Sequence, residues 1–233
     1  MKDRIKSVLA RLPALQYRHS YAKDELDKRL DPFIGRRGGF FLEAGANDGI
    51  TQSNTLYFER YFGWTGILVE PSPRLARLCR TQRPHCNIEA VALAATMGAA
   101  PLKMVDAGLM STTRGAFSHN QDGYSEQTHL RRAAGFMGRA VADFEEFEVP
   151  TKTLSQILDE HHAPEVDLLS LDVEGYEYEA LTGLDLARHR PRHILVEERY
   201  GESCEPILRS CYHREAILSF NEFYQDTLYR RIA

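Results

Sequence analysis

The segment Glu43-Ala44-Gly45-Ala46-Asn47-Asp48-Gly49 sets two glycines among two carboxylates directly after a short apolar run. Glycines spaced this way permit a tight turn and a close approach of backbone to a ligand. A further carboxylate, Glu70, follows 21 residues beyond Gly49, at the end of the next apolar run. An acid at that point is placed to accept both ribose hydroxyl protons of an adenosine-containing ligand. The sign of the charge then narrows the kind of ligand. Carboxylates repel a pyrophosphate but suit a molecule that carries a sulfonium and an ammonium group. A dinucleotide turn also asks for Gly-x-Gly-x-x-Gly, so the pattern favours S-adenosylmethionine over a nicotinamide cofactor.

Three more acids end later apolar runs. Asp172 and Glu174 stand in Asp172-Val173-Glu174-Gly175, and Glu197 closes Pro191-Arg192-His193-Ile194-Leu195-Val196. A hydroxyl that is to be alkylated must lose its proton, and a carboxylate within hydrogen-bond reach takes it. Asp172 and Glu174 are the leading candidates, with Glu197 third. Two other uses compete. The three acids together offer oxygen ligands to a divalent cation such as Mg²⁺, and Glu174 alone would serve to cap the helix that follows. His119 and His129 lie in a polar stretch, where they either enter the pocket as bases or are exposed. Phe220, Phe223, Tyr224 and Tyr229 are expected to cover a sheet edge.

The elements that must hold these residues alternate. Strands are predicted at Gly39–Ala44, Trp64–Glu70, Ile88–Leu93, Val166–Asp172, Pro191–Glu197 and Leu228–Ile232. Helices are predicted after Ser53-Asn54-Thr55, after Pro71-Ser72-Pro73, at Thr151–Leu158, at Tyr176–Leu181 and at Glu205–Cys211. Continuous apolar strands between helices imply a mostly parallel, doubly wound sheet covered on both faces. Ligands of such sheets bind at the carboxyl ends of the strands, where the strand order reverses. Residues 1–35 read as an N-terminal helical segment. It holds an amphipathic helix around Ile5, Val8, Leu9 and Leu12 that packs on the domain edge or serves a membrane surface or a dimer. A second helix runs from Tyr21 to Leu30, ending before Asp31-Pro32. Residues 36–233 form one domain. Between Ala94 and Val149 the periodicity fades, which predicts an insertion over the active site, with a short strand at Pro101–Val105 and an irregular polar stretch over 108–138.

At 233 residues, 43% hydrophobic and 27% charged, the chain suits one globular domain. A net charge of −4 disfavours nucleic acid as a partner. No run approaches the ~20 apolar residues of a membrane span, and no signal core follows Met1, so a cytoplasmic protein is expected. Cys79, Cys86, Cys204 and Cys211 lack the spacing of a zinc knuckle and are read as reduced thiols.

Phe41-Leu42-Glu43-Ala44-Gly45-Ala46-Asn47-Asp48-Gly49, Ser53-Asn54-Thr55, Gly63-Trp64-Thr65-Gly66-Ile67-Leu68-Val69-Glu70-Pro71 and Leu171-Asp172-Val173-Glu174-Gly175-Tyr176-Glu177 resemble the FkbM family of methyltransferases. The resemblance runs from about Phe40 to the C-terminus and is weakest between Gly108 and Gly138. It implies a Rossmann-like class I methyltransferase fold, S-adenosylmethionine as cofactor, and O-methylation of a hydroxyl on a sugar, a glycan or a polyketide-type small molecule. It further implies that Glu43, Gly45 and Asn47 line the methionine side of the cofactor, flanked by Asp48 and Ser53-Asn54-Thr55. Glu70 would hold the ribose, Pro71-Ser72 would border the adenine, and Asp172 would stand where methyl and acceptor meet. Many relatives carry Asp where this chain has Glu43. The competing readings are a non-catalytic protein that binds S-adenosylmethionine and, further off, a nicotinamide-dependent oxidoreductase. A homo-oligomer is compatible with all of them.

Overall fold

A computed structural model describes residues 18–119, 123–199 and 203–232; the helix expected around Ile5–Leu12 lies outside them. One sheet of seven strands forms the centre. In chain order these are β1 (Phe40–Ala44), β2 (Thr65–Val69), β3 (Asn87–Glu89), β4 (Leu168–Leu171), β5 (His193–Arg199), β6 (Tyr212–Phe220) and β7 (Tyr224–Arg231). Their spatial order is β6-β7-β5-β4-β1-β2-β3. Strands β3, β2, β1, β4 and β5 pair in parallel, and β7 lies antiparallel between β5 and β6. The fold is therefore α/β with a mostly parallel sheet, of the class I methyltransferase type. The order reverses between β1 and β4, where Ala44 pairs with both Val69 and Leu171.

Period-two alternation divides the strand residues between two apolar layers. Leu42, Ile67, Leu169, Leu171, Ile194 and Val196 pack with Leu154, Ile157, Ala180 and Leu181 on one face. Phe41, Leu68, Leu168, Leu195 and Leu228 pack with Leu30, Tyr57, Phe58 and Cys79 on the other. The helices are α1 (Leu26–Ile34), α2 (Leu56–Phe62), α3 (Pro73–Gln82), α4 (Glu126–Met137), α5 (Leu154–Glu160), α6 (Glu177–Thr182) and α7 (Glu205–Leu208). Ser72 caps α3, accepting from the Leu75 N–H, and Ser53, two residues before the N-cap of α2, accepts from the Leu56 N–H.

Several elements differ from the sequence expectation. Helix α1 begins at Leu26 after a 3₁₀ turn and runs through Pro32. Burial of Leu26, Leu30 and Ile34 on one stripe outweighs one lost backbone bond near the helix end. The strand expected at 88–93 is broken: Asn87–Glu89 joins the main sheet, whereas Ala92–Leu93 pairs with Thr151–Lys152. Strand β6 was not expected; with β7 it forms a hairpin on the sheet edge.

The larger correction concerns residues 94–149. Leu102–Asp106 pairs antiparallel with both Thr112–Thr113 and Glu145–Val149, and α4 spans twelve residues. Val105, Ala107, Leu130, Ala133, Ala134 and Phe144 give this insertion its own small core. Helix α4 starts at Ser125, whose hydroxyl accepts from the Thr128 N–H, and stops at Gly138 with φ of 62°. Its buried stripe is mostly alanine and His129, so the apolar period that betrays a helix in sequence is faint.

Candidate active site

The carboxyl ends of β1, β2, β4, β5 and the β6–β7 turn surround a cavity of about 640 Å³, closed on one side by the insertion. The two walls are built differently.

On the β1–β2 side, Gly45 has φ of +84°, and a Cβ there would meet the Asp172 carbonyl oxygen at 1.8 Å. Only glycine lets β1 turn this close to β4. Gly45, Asn47 and Asn54 face the cavity, as do Glu70 and Pro71. The Glu70 carboxylate accepts the Asn47 and Ser72 N–H groups, both at 2.8 Å. Burial pushes its pKa up to about 7.

Glu43, Asp48, Ser53, Thr55 and Ser72 do not line the cavity. The alternation of β1 puts Glu43 on the face of Phe41, beneath α2. Its carboxylate accepts from Ser53 Oγ (2.9 Å), the Asn54 N–H (2.7 Å) and Thr55 Oγ1 (2.6 Å). Arg83, fully buried, stands 3.7 Å away and also reaches Ser53, Thr55 and the Gly49 carbonyl. Glu43 thus ties the first strand to the start of α2. Asp48 turns back on its own loop, accepting from the Ile50 and Thr51 N–H groups and the Thr51 hydroxyl. Partial burial works against its ionisation, but these bonds hold its pKa below the ordinary value.

On the β4–β5 side, Asp172, Glu174 and Glu197 come together, with one carboxylate oxygen of each within 4.8 Å of the others. Their positive partner is Arg199, which pairs with Glu174 at 2.5 Å and Glu197 at 3.1 Å. Its Nη2 thus touches two of the three carboxylates. Asp172 Oδ1 has no hydrogen-bond partner, and its pKa is pushed up to about 7 by burial and by Glu174. Burial and the neighbouring acids also raise Glu197 strongly. Glu174 has φ of 54°, left-handed backbone that a non-glycine residue adopts only when its surroundings enforce it. Here Thr112 donates to its carbonyl and the Phe117 N–H donates to that of Gly175. Glu177 braces the loop before α6, accepting from the Val173 and Gly175 N–H groups.

Five contributors to this wall escaped the sequence reading: Lys23, Arg132, Phe223, Tyr224 and Asp226. Phe223 and Tyr224 line the cavity where edge covering was expected; Tyr229 is buried in the sheet and Phe220 is exposed. Asp226 accepts from the Ser219 hydroxyl, and burial raises its pKa to about 7. His129 is fully buried, with burial lowering its pKa to about 4. It sits behind Glu174 at 3.6 Å and does not line the cavity. His119 is half exposed beside Glu179. The four cysteines are free. No helix among the described residues is long and apolar enough to cross a membrane.

Among known protein families, the Methyltransferase FkbM domain matches residues 43–219. No curated protein sequence matches the chain. A TehB-like S-adenosylmethionine-dependent methyltransferase from Corynebacterium glutamicum superposes with a TM-score of 0.43 at 12% identity, over 99% of this chain and 97% of that one. The methyltransferase FkbM from Methylobacillus flagellatus gives 0.46 at 11% identity, over 97% of this chain but 60% of its own length. A precorrin-6y C5,15-methyltransferase from Geobacter metallireducens gives 0.45 at 8% identity, over 89% of each chain.

Proposed function

The chain belongs to the FkbM methyltransferase family, and from that premise we propose that it uses S-adenosylmethionine to methylate a hydroxyl of a sugar, glycan or polyketide-type small molecule. The observation that carries this reading is the meeting of Gly45 and Asp172 at the point where strand order reverses. One side of that contact suits a nucleoside ligand, and the other holds Asp172, whose pKa burial and Glu174 push up to about 7.

The residues present fit the cofactor. Glu70 presents a buried carboxylate at the end of β2, where ribose hydroxyls would be held. Gly45 lines the cavity at the switch point, where its backbone can approach a ligand closely. Asn47 and Asn54 offer amide donors and acceptors on the same wall. When bound, the cofactor supplies an electrophilic methyl carbon. The chain itself must hold the acceptor oxygen in line with that carbon and take the proton. Asp172 is suited to receive it. Asp172 lines the cavity, and a pKa of about 7 allows ionised base and useful driving force together. Arg199 pairs with Glu174 and Glu197 and fixes both beside the base.

The test is binding and turnover in one protein. S-adenosylhomocysteine is expected to raise the Tm of the wild type, and Asp172→Asn to keep that shift while losing methyl transfer from S-adenosylmethionine to hydroxylated acceptors. A wild type whose Tm ignores the ligand at concentrations far above an ordinary Kd contradicts the proposal.

A further inference from the structure

We propose that the methyl acceptor carries an oxyanion, a carboxylate or a phosphate, and that Arg132 binds it. The inference rests on the methyl-transfer reading of the cavity and adds the chemical class of the molecule that enters it.

Arg132 projects from α4 into the cavity wall. Its guanidinium lies over the Phe223 ring, 3.4 Å from the centroid. Its Nη1 donates to the Tyr124 hydroxyl at 3.0 Å. Stacking and one hydrogen bond hold the plane still, while Nε and Nη2 have no hydrogen-bond partner among the described residues. No carboxylate pairs with it there either. The contrast is with the two buried arginines: Arg83 pairs with Glu59, and Arg199 with Glu174 and Glu197. Arg132 is kept rigid, kept in the cavity and left without an anion.

A planar, preorganised guanidinium with an open edge matches a carboxylate or phosphate through parallel N–H bonds. A second positive charge supports it. Lys23 lies over the Tyr224 ring, 4.8 Å from the centroid, and donates to that hydroxyl. Adjacent residues of the β6–β7 turn thus each carry a cation from a different segment. The acids of the floor do not repel such a ligand into solvent, because Arg199 pairs with Glu174 and Glu197. The acceptor is then held at two ends: its hydroxyl over Asp172, its anion against the Arg132–Phe223 wall.

Calorimetric titration tests this with the full chain saturated in S-adenosylhomocysteine. Inorganic phosphate, benzoate and the neutral isostere benzamide are titrated into wild type, Arg132→Gln and Arg132→Lys. The wild type should bind phosphate or benzoate in the millimolar range and ignore benzamide; the tighter of the two anions identifies the group. Arg132→Gln should weaken that anion about tenfold or more, Arg132→Lys should restore part of the affinity, and S-adenosylhomocysteine should bind all three proteins alike. Equal anion affinity in wild type and Arg132→Gln overturns the proposal, as does a wild type that binds neither anion. A parallel loss of S-adenosylhomocysteine affinity also overturns it, since Arg132 would then serve the cofactor. If S-adenosylhomocysteine binds no variant, the methyl-transfer reading fails by itself, and the same phosphate and benzoate titrations of the free protein still decide the role of Arg132.

Discussion

The two walls of the cavity solve opposite problems with the same residue type. In and behind the β1–β2 wall the carboxylates are satisfied. Glu43 takes up Ser53, Asn54 and Thr55, Asp48 closes its own turn, and Glu70 accepts two backbone N–H groups. On the β4–β5 wall, Asp172 Oδ1 is buried without a hydrogen bond, and Glu197 Oε1 meets the Arg199 guanidinium at 3.1 Å. Unsatisfied buried acids cost stability and are the expected signature of a place where protons move. One wall is built to stay, the other to react.

That comparison breaks most visibly at Asp172. Its replacement by Asn should lower kcat by about 10²–10⁴, the range for loss of a positioned base, without changing the fold by circular dichroism. A fall of less than tenfold would shift the role of base to Glu197 or Asp226. Next in size is Gly45→Ala. The new Cβ meets the Asp172 backbone in a left-handed conformation, at a cost of about 3 kcal/mol and a Tm lower by roughly 6–12 °C. An unchanged Tm would mean that β1 and β4 separate more easily than their packing implies.

The pH dependence sharpens the same contrast. Ionised Asp172 is the active form, so kcat/KM should rise with pH and level off above about 7; a profile flat from pH 5 to 9 would remove it as base. Stability runs the other way. The Asp226 pKa, about 7, lies above its value in the unfolded chain. Its stabilising effect is complete below that unfolded value and is lost as pH rises through about 7. Asp226→Asn should therefore raise Tm at pH 8 by roughly 2–4 °C, the equivalent of about 1 kcal/mol, and leave it unchanged at pH 4. Equal effects at both pH values would mean that charge is not the cause.

The two walls also differ in how much of them a reader of the sequence could see. Gly45, Asn47, Asn54, Glu70 and Pro71 come from neighbouring motifs joined by a single strand–helix–strand unit, so spacing alone brought them to one wall. The same local reading drew Glu43 toward the cavity; strict alternation from Phe41 would have turned it under α2. The reactive wall gathers Lys23, Arg132, Asp172, Arg199, Phe223 and Asp226 from segments as far as 203 positions apart. Only chain-distant pairings bring them together, and no spacing encodes those. Apolar runs gave away β1, β2, β4 and β5. Strand β6 and the helix inside the insertion were hidden, the first by its polar, exposed positions and the second by a core of alanines.

The division between a binding wall and a reacting wall is tested most directly by calorimetric titration of S-adenosylhomocysteine into wild type, Glu70→Ala and Glu197→Gln. The wild type should bind, Glu70→Ala should lose about tenfold to a hundredfold in Kd through the lost charge-assisted bonds, and Glu197→Gln should stay within about twofold, below the loss of even one ordinary hydrogen bond. No binding by the wild type, or an equal loss in both variants, would contradict it.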